Sequence, residues 1–265
     1  MGKEKLSEHA VISRGEKIKY YVRTPEHLAP IGERLLLISV GMEWIRSLYT
    51  EPYRITADTF LLHGHCVLSF DTPCHGERTK PYGEHIEGLC AALLKGDDPF
   101  ERFIEDAGTV IDDCIRRGVV KDDQIVVCGA SRGGYLALRL LAADARVGRA
   151  AAFAPVTDWQ YLREFAAVKD TETVGAQNLL RYMDELAGKP IFMAIGNHDL
   201  RVSTFSCCKL HVELAAHNAS RGHEESLIEF FVTDDAGHTM GDLWYHKGTQ
   251  FLLYGPDEEP KQEEE

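Results

Sequence analysis

The chain has 265 residues, 44% of them hydrophobic and 27% charged, which suits one globular domain with a large core and excludes a collagen-like, disordered or disulfide-miniature chain. Its formal net charge is −13, a field that repels polyanions, so no nucleic-acid partner is expected. No apolar run reaches the ~18 residues of a bilayer span, and seven irregularly spaced cysteines (Cys66, Cys74, Cys90, Cys114, Cys128, Cys207 and Cys208) suit reduced thiols, so a cytoplasmic protein without a membrane partner is expected.

Residues 9–13 and 17–23 flank Arg14-Gly15-Glu16 and read as a β-hairpin with a short glycine turn. Residues 34–40 form a short continuous apolar run, the pattern of a strand covered on both faces of a parallel sheet. After a helix, residues 65–70 repeat it. Phe103, Ile104, Ala107, Val110, Ile111, Cys114 and Ile115 then recur at spacings of three and four, with Gly118 as a stop, which predicts an amphipathic helix. Strand-like runs follow at 124–128, 150–154, 190–195 and 227–233, with helical stretches to Leu141 and from Ser203 to about Ser220. The alternation predicts an α/β fold: a mostly parallel twisted sheet of about eight strands flanked by helices, with chemistry at the carboxyl ends of the strands. Residues 1–256 read as one domain with a small helical cap at about 157–188, and 257–265, net −5, as an acidic disordered tail.

The sharpest local signal is Gly129-Ala130-Ser131-Arg132-Gly133-Gly134 between a strand and a helix. It is the G-x-S-x-G turn that lifts a nucleophilic serine above a sheet while the helix amino terminus favours developing negative charge. A serine needs a base and the base an orienting acid. Asp199 follows the strand ending at 195, and His238 follows the strand ending at 233. The order Ser131, Asp199, His238 is that of successive strands each delivering one member of a triad. Asp234 and Asp235 are the alternative acids, and His198, beside the acid, is not expected to be the base. His63, His65, Cys74 and His75 lack ligand spacing for zinc and are explained by turns, so neither metal nor cofactor is expected.

These motifs resemble the α/β-hydrolases, in particular the serine branch that includes dienelactone-hydrolase-like and prolyl-oligopeptidase-like esterases and peptidases. Asp71-Thr72-Pro73-Cys74-His75-Gly76 is similar to that family's D-x-P-G-H-G turn, with Cys74 in place of a glycine. Gly196 to Val202 resembles its G-x-x-D-x-x-V acid loop. Dienelactone hydrolases proper use a cysteine nucleophile, so their lactone substrate does not carry over to Ser131. The resemblance implies an oxyanion hole from the N–H of Arg132 and a second N–H after the third strand, that of Met42 with Gly41 in reserve. Trp44, Trp159 and Arg201 are the candidate substrate-pocket residues, with Trp159, Tyr161, Leu162 and Phe165 roofing a small pocket. Arg132 and Arg201, beside nucleophile and acid, raise the expectation of a negatively charged substrate group.

The expected activity is hydrolysis of a small-molecule carboxylic ester with a compact acyl group through an acyl-enzyme. The alternatives are a peptidase of the same branch and a noncatalytic scaffold that binds a ligand or partner. No oligomeric state follows from the sequence.

Overall fold

The structure, a computed structural model, describes residues 4–223 and 227–256; the acidic stretch 257–265 lies outside the described residues. The opening hairpin is β1 (Lys5–Ser13) and β2 (Glu16–Thr24), paired antiparallel from Lys5↔Thr24 to Ser13↔Glu16. It begins four residues before the expected strand, because the alternation of exposed and half-buried positions extends back to Lys5.

Next come β3 (Leu36–Val40), α1 (Trp44–Tyr49), α2 (Arg54–Leu62), β4 (Cys66–Ser69), α3 (His85–Leu94) and α4 (Pro99–Arg116). The second half holds β5 (Ile125–Ala130), α5 (Arg132–Ala143), β6 (Val147–Phe153), α6 (Glu172–Gly175), α7 (Met183–Leu186), β7 (Ile191–Gly196), α8 (Thr204–Ser220), β8 (Ile228–Thr233) and α9 (Asp242–Tyr254).

One eight-stranded sheet runs β1-β2-β4-β3-β5-β6-β7-β8, antiparallel across β1, β2 and β4 and parallel from β4 to β8. Every residue of β3, β5 and β7 is buried, as central parallel strands covered by helices on both faces require. The edge strand β8 buries only Ile228. The periodicity of α4 is satisfied against this sheet: Phe103, Ala107, Val110, Ile111 and Cys114 are buried. Asp98 caps the helix by accepting from the N–H groups of Phe100 and Glu101, and Gly118 follows its end at φ +70°.

The segment 157–188 consists of α6, α7 and short 3₁₀ turns rather than continuous helices. It rests on α4 and α5. Trp159 is fully buried, with its ring centroid 4.6 Å from Phe100, 5.2 Å from Tyr135 and 5.3 Å from Phe165. Gln177 accepts from Tyr135 and Arg139 and donates to Asp98. Among the described residues, no helix is long and apolar enough to cross a membrane.

Candidate active site

The elbow between β5 and α5 is built by close backbone approach. A Cβ on Gly129 would stand 2.2 Å from Gly133 O, and one on Gly133 would stand 2.3 Å from Val40 O, so neither site accepts a side chain. Ser131 is held at φ +56°, ψ −119°, a costly conformation for a residue with a Cβ. Two backbone bonds impose it: Ser131 N–H donates to Phe153 O at 2.8 Å, and Val156 N–H donates to Ser131 O at 3.1 Å. The turn is thereby fixed to the end of β6, with the serine at the amino terminus of α5.

Asp199 lies in the loop after β7 and is buried. Its Oδ1 accepts the N–H groups of Arg201 at 2.8 Å and Val202 at 3.1 Å. Its Oδ2 meets His238 Nδ1 at 2.6 Å. This arrangement fixes the tautomer: with Nδ1 held by the carboxylate, Nε2 is the ring nitrogen that remains for a hydroxyl. Ser131 and His238 share the wall of one cavity without a direct hydrogen bond between them, and such bonds commonly tighten only with substrate bound.

The neighbouring acids are engaged elsewhere. Asp235 accepts from Thr233 Oγ1, and Asp234 accepts from Asn197 Nδ2 at 2.9 Å. His198 is exposed and stands 3.7 Å from Asp234.

The cavity has a volume of about 170 Å³. Ser39, Ser47 and Cys128 line it, Phe153, Met240 and Tyr245 add apolar surface, and Gly41, Met42, Arg46 and Arg132 also border it. Burial pushes the Cys128 thiol up to about 12, so it is protonated at neutral pH and unreactive as a thiolate. As the first residue of α5, Arg132 has no intrahelical acceptor for its N–H. Among the described residues, no backbone acceptor is paired with Met42 N–H, while Met42 O takes Thr72 N–H at 3.2 Å.

The motif from Asp71 to Gly76 braces this loop. Asp71 Oδ1 accepts Trp44 N–H at 3.0 Å, and Oδ2 accepts Glu77 N–H at 3.0 Å. Gly76 sits at φ +56° where a Cβ would lie 2.1 Å from that carboxylate.

Three expected pocket residues lie elsewhere. Trp44 stacks on Tyr21 at 3.7 Å, Trp159 is enclosed by the aromatic cluster over α4 and α5, and Arg201 is clamped by Glu164 through two bonds of 2.8 Å. None of the three lines the cavity. Tyr53, Phe153, Met240 and Tyr245 do so instead; no local motif marks them, since each is brought in from a different element. Tyr245 stacks on Phe153 at 4.2 Å.

The histidines weighed as metal ligands serve turns. His65 Nδ1 accepts Leu35 N–H at 3.2 Å, and His75 Nδ1 donates to Pro73 O at 2.9 Å. Burial, reinforced by the Arg132 charge, pulls His75 down to about 3. Between pH ~6.5 and that value the unfolded chain binds a proton that the folded chain refuses, so the stability is present above ~6.5 and is lost as pH falls. His75 should cost about 2 kcal/mol between pH 7 and 5. Urea titrations should show His75→Asn losing less stability than wild type over that interval; equal losses would contradict the assignment.

The prolyl oligopeptidase family model matches residues 93–252, more than half of the chain. No curated protein sequence matches. Among solved structures, a cold-adapted esterase from an Arctic intertidal metagenomic library aligns with TM-score 0.69 and 18% identity over 94% of this chain and 93% of its own. The acetyl xylan esterase of Paenibacillus sp. R4 aligns with TM-score 0.70 and 16% identity over 94% and 83%. A Bacteroides ovatus protein assigned as a dipeptidyl aminopeptidase IV aligns with TM-score 0.71 and 14% identity; the match covers 95% of this chain and only 35% of that one. At these identities the likeness is one of fold, an eight-stranded α/β-hydrolase sheet with an antiparallel start. Taken with the family match and the serine elbow, it establishes that the chain belongs to the prolyl oligopeptidase family of α/β-hydrolase serine hydrolases.

Proposed function

We propose that this protein hydrolyses carboxylic esters of small acyl groups through a Ser131–His238–Asp199 triad. The observation that carries the reading is the buried Asp199 carboxylate 2.6 Å from His238 Nδ1, with His238 and Ser131 bordering one cavity.

Ser131 Oγ attacks the acyl carbonyl while His238 Nε2 takes its proton, and Asp199 stabilises the imidazolium. The N–H groups of Arg132 and Met42 hold the oxyanion. His238 then protonates the departing alkoxide, leaving an acyl-serine. Water, deprotonated by His238, attacks that ester, and the acid leaves as Ser131 regains its proton.

A cavity of about 170 Å³ supports a compact acyl group. Each buried methylene contributes up to ~0.8 kcal/mol while room remains, so kcat/KM for nitrophenyl esters should climb over the first few carbons and then fall before palmitate. A continued rise to palmitate would contradict a closed pocket. Trp159→Ala should lower stability by about 3–5 kcal/mol without moving the chain-length optimum, because Trp159 packs on Phe100 and Tyr135.

The family match also favours a second reading, a peptidase. Amide turnover exceeding ester turnover on matched acyl groups would select it.

A further inference from the structure

The sequence offered Arg132 and Arg201 as equal candidates for meeting a negative substrate group, and the structure separates them. Arg201 is neutralised by the two-bond clamp of Glu164. The buried Arg23 is likewise paired, with Glu4 at 2.6 Å and Asp58 at 2.8 Å, and the buried Arg139 with Glu101.

Arg132 departs from this pattern. It borders the catalytic cavity, its Nε is enclosed, and that nitrogen has no hydrogen-bond partner. Enclosed donors are normally satisfied, and enclosed cations are normally paired. We propose that the Arg132 guanidinium is the recognition group for a carboxylate carried by the ester substrate, an inference that rests on the triad reading above.

The surroundings fit an anion. The groups acting most strongly on Arg132 are Tyr53, Arg201, Arg46 and Glu43, and His75 also feels its charge. Tyr53 and Arg46 line the same cavity. Arg46 adds a second cation whose contact is Met42 Sδ at 4.0 Å, and Glu43, the one carboxylate in that set, forms no ion pair with Arg132. Burial, with Tyr53 opposing and Arg201 and Arg46 adding to it, brings Arg132 down to about 10, so the guanidinium stays charged at neutral pH. Among the described residues no carboxylate pairs with either of these two cations, and at the cavity of a chain of net charge −13 they form a local reversal of field that a substrate carboxylate would fill. A planar guanidinium also accepts a carboxylate through two parallel bonds.

The test compares kcat/KM within size-matched pairs. An anion on the acyl side is probed by mono-4-nitrophenyl glutarate against 4-nitrophenyl pentanoate, with the spontaneous rate subtracted. An anion on the leaving side is probed by 3-acetoxybenzoate against its methyl ester. In wild type one pair should favour the anionic member at least tenfold, and that pair identifies the side on which the carboxylate sits. The preference should fall to about unity in Arg132→Gln and be partly kept in Arg132→Lys. Using the ratio within each protein cancels any loss common to both esters.

Should Arg132→Gln not fold, inhibition of wild type decides: in one of the pairs pentanoate against pentanamide and 3-hydroxybenzoate against 3-hydroxybenzamide, the carboxylate should inhibit at least tenfold more strongly than its neutral amide. Neutral esters turned over as fast as anionic ones in both pairs would overturn the anion site and leave the hydrolase reading standing. Turnover of none of the four esters would overturn the reading beneath it.

Discussion

Ser131→Ala should lower kcat for a simple activated ester by at least about 10⁴-fold while leaving the fold intact. The size follows from the way triad members act as a unit: without Oγ no acyl-enzyme forms, and the oxyanion donors alone give a small residual rate. The fold should survive because the elbow is pinned through the serine's backbone, by Phe153 O and Val156 N–H, and not through its hydroxyl.

Asp199→Asn should be nearly as damaging for a different reason. The amide oxygen can keep the bonds from Arg201 and Val202 N–H, but its NH₂ then faces His238 Nδ1 and forces the proton onto Nε2. A protonated Nε2 cannot accept from serine. Steady-state kinetics with near-unchanged circular dichroism would check both variants, and wild-type-like rates in Ser131→Ala would remove the nucleophile.

Gly133→Ala, like Gly129→Ala, should be among the most destructive single methyls added near the site. The new Cβ would stand 2.3 Å from Val40 O, and both sides of that contact are backbone, so α5 must move away from β3. Overpacking of this kind costs about 1–3 kcal/mol and sometimes more, or roughly 2–4 °C in Tm per kcal/mol for a chain of this size. The same shift would separate the Met42 loop from Ser131, so activity should fall further than stability predicts. Gly175→Ala is the control: nothing lies within 4 Å of its Cβ and it ends a short helix, so it should be neutral or slightly stabilising. Equal melting temperatures for the two variants would refute the close-approach account.

The elements that position the proposed triad were legible because each carries a local signature. Continuous apolar runs mark β3, β5 and β7, the glycine-flanked Ser131 marks the elbow, and Asp199 and His238 each follow a strand end. The cavity walls carried no such signature. Trp159 falls in the segment expected to roof the pocket, yet its contacts are Phe100 and Tyr135 on α4 and α5, a tertiary choice that no window around it encodes.

Arg201 was misread for a similar reason. Adjacency to Asp199 placed its backbone at the site, while its side chain was claimed by Glu164 from a distant turn. The Asp71 motif was visible in sequence, but its work, accepting Trp44 N–H and Glu77 N–H to brace the loop that holds Met42, emerges only when the two segments meet.

The proposed hydrolysis requires that Ser131 be a nucleophile activated by His238. Its most direct test is incubation with a fluorophosphonate followed by peptide mass mapping. Stoichiometric modification of the peptide containing Ser131 is expected in wild type, and its loss in both Ser131→Ala and His238→Ala; an unmodified Ser131 in folded wild-type protein, or labelling that persists in His238→Ala, would show that Ser131 is not activated by His238.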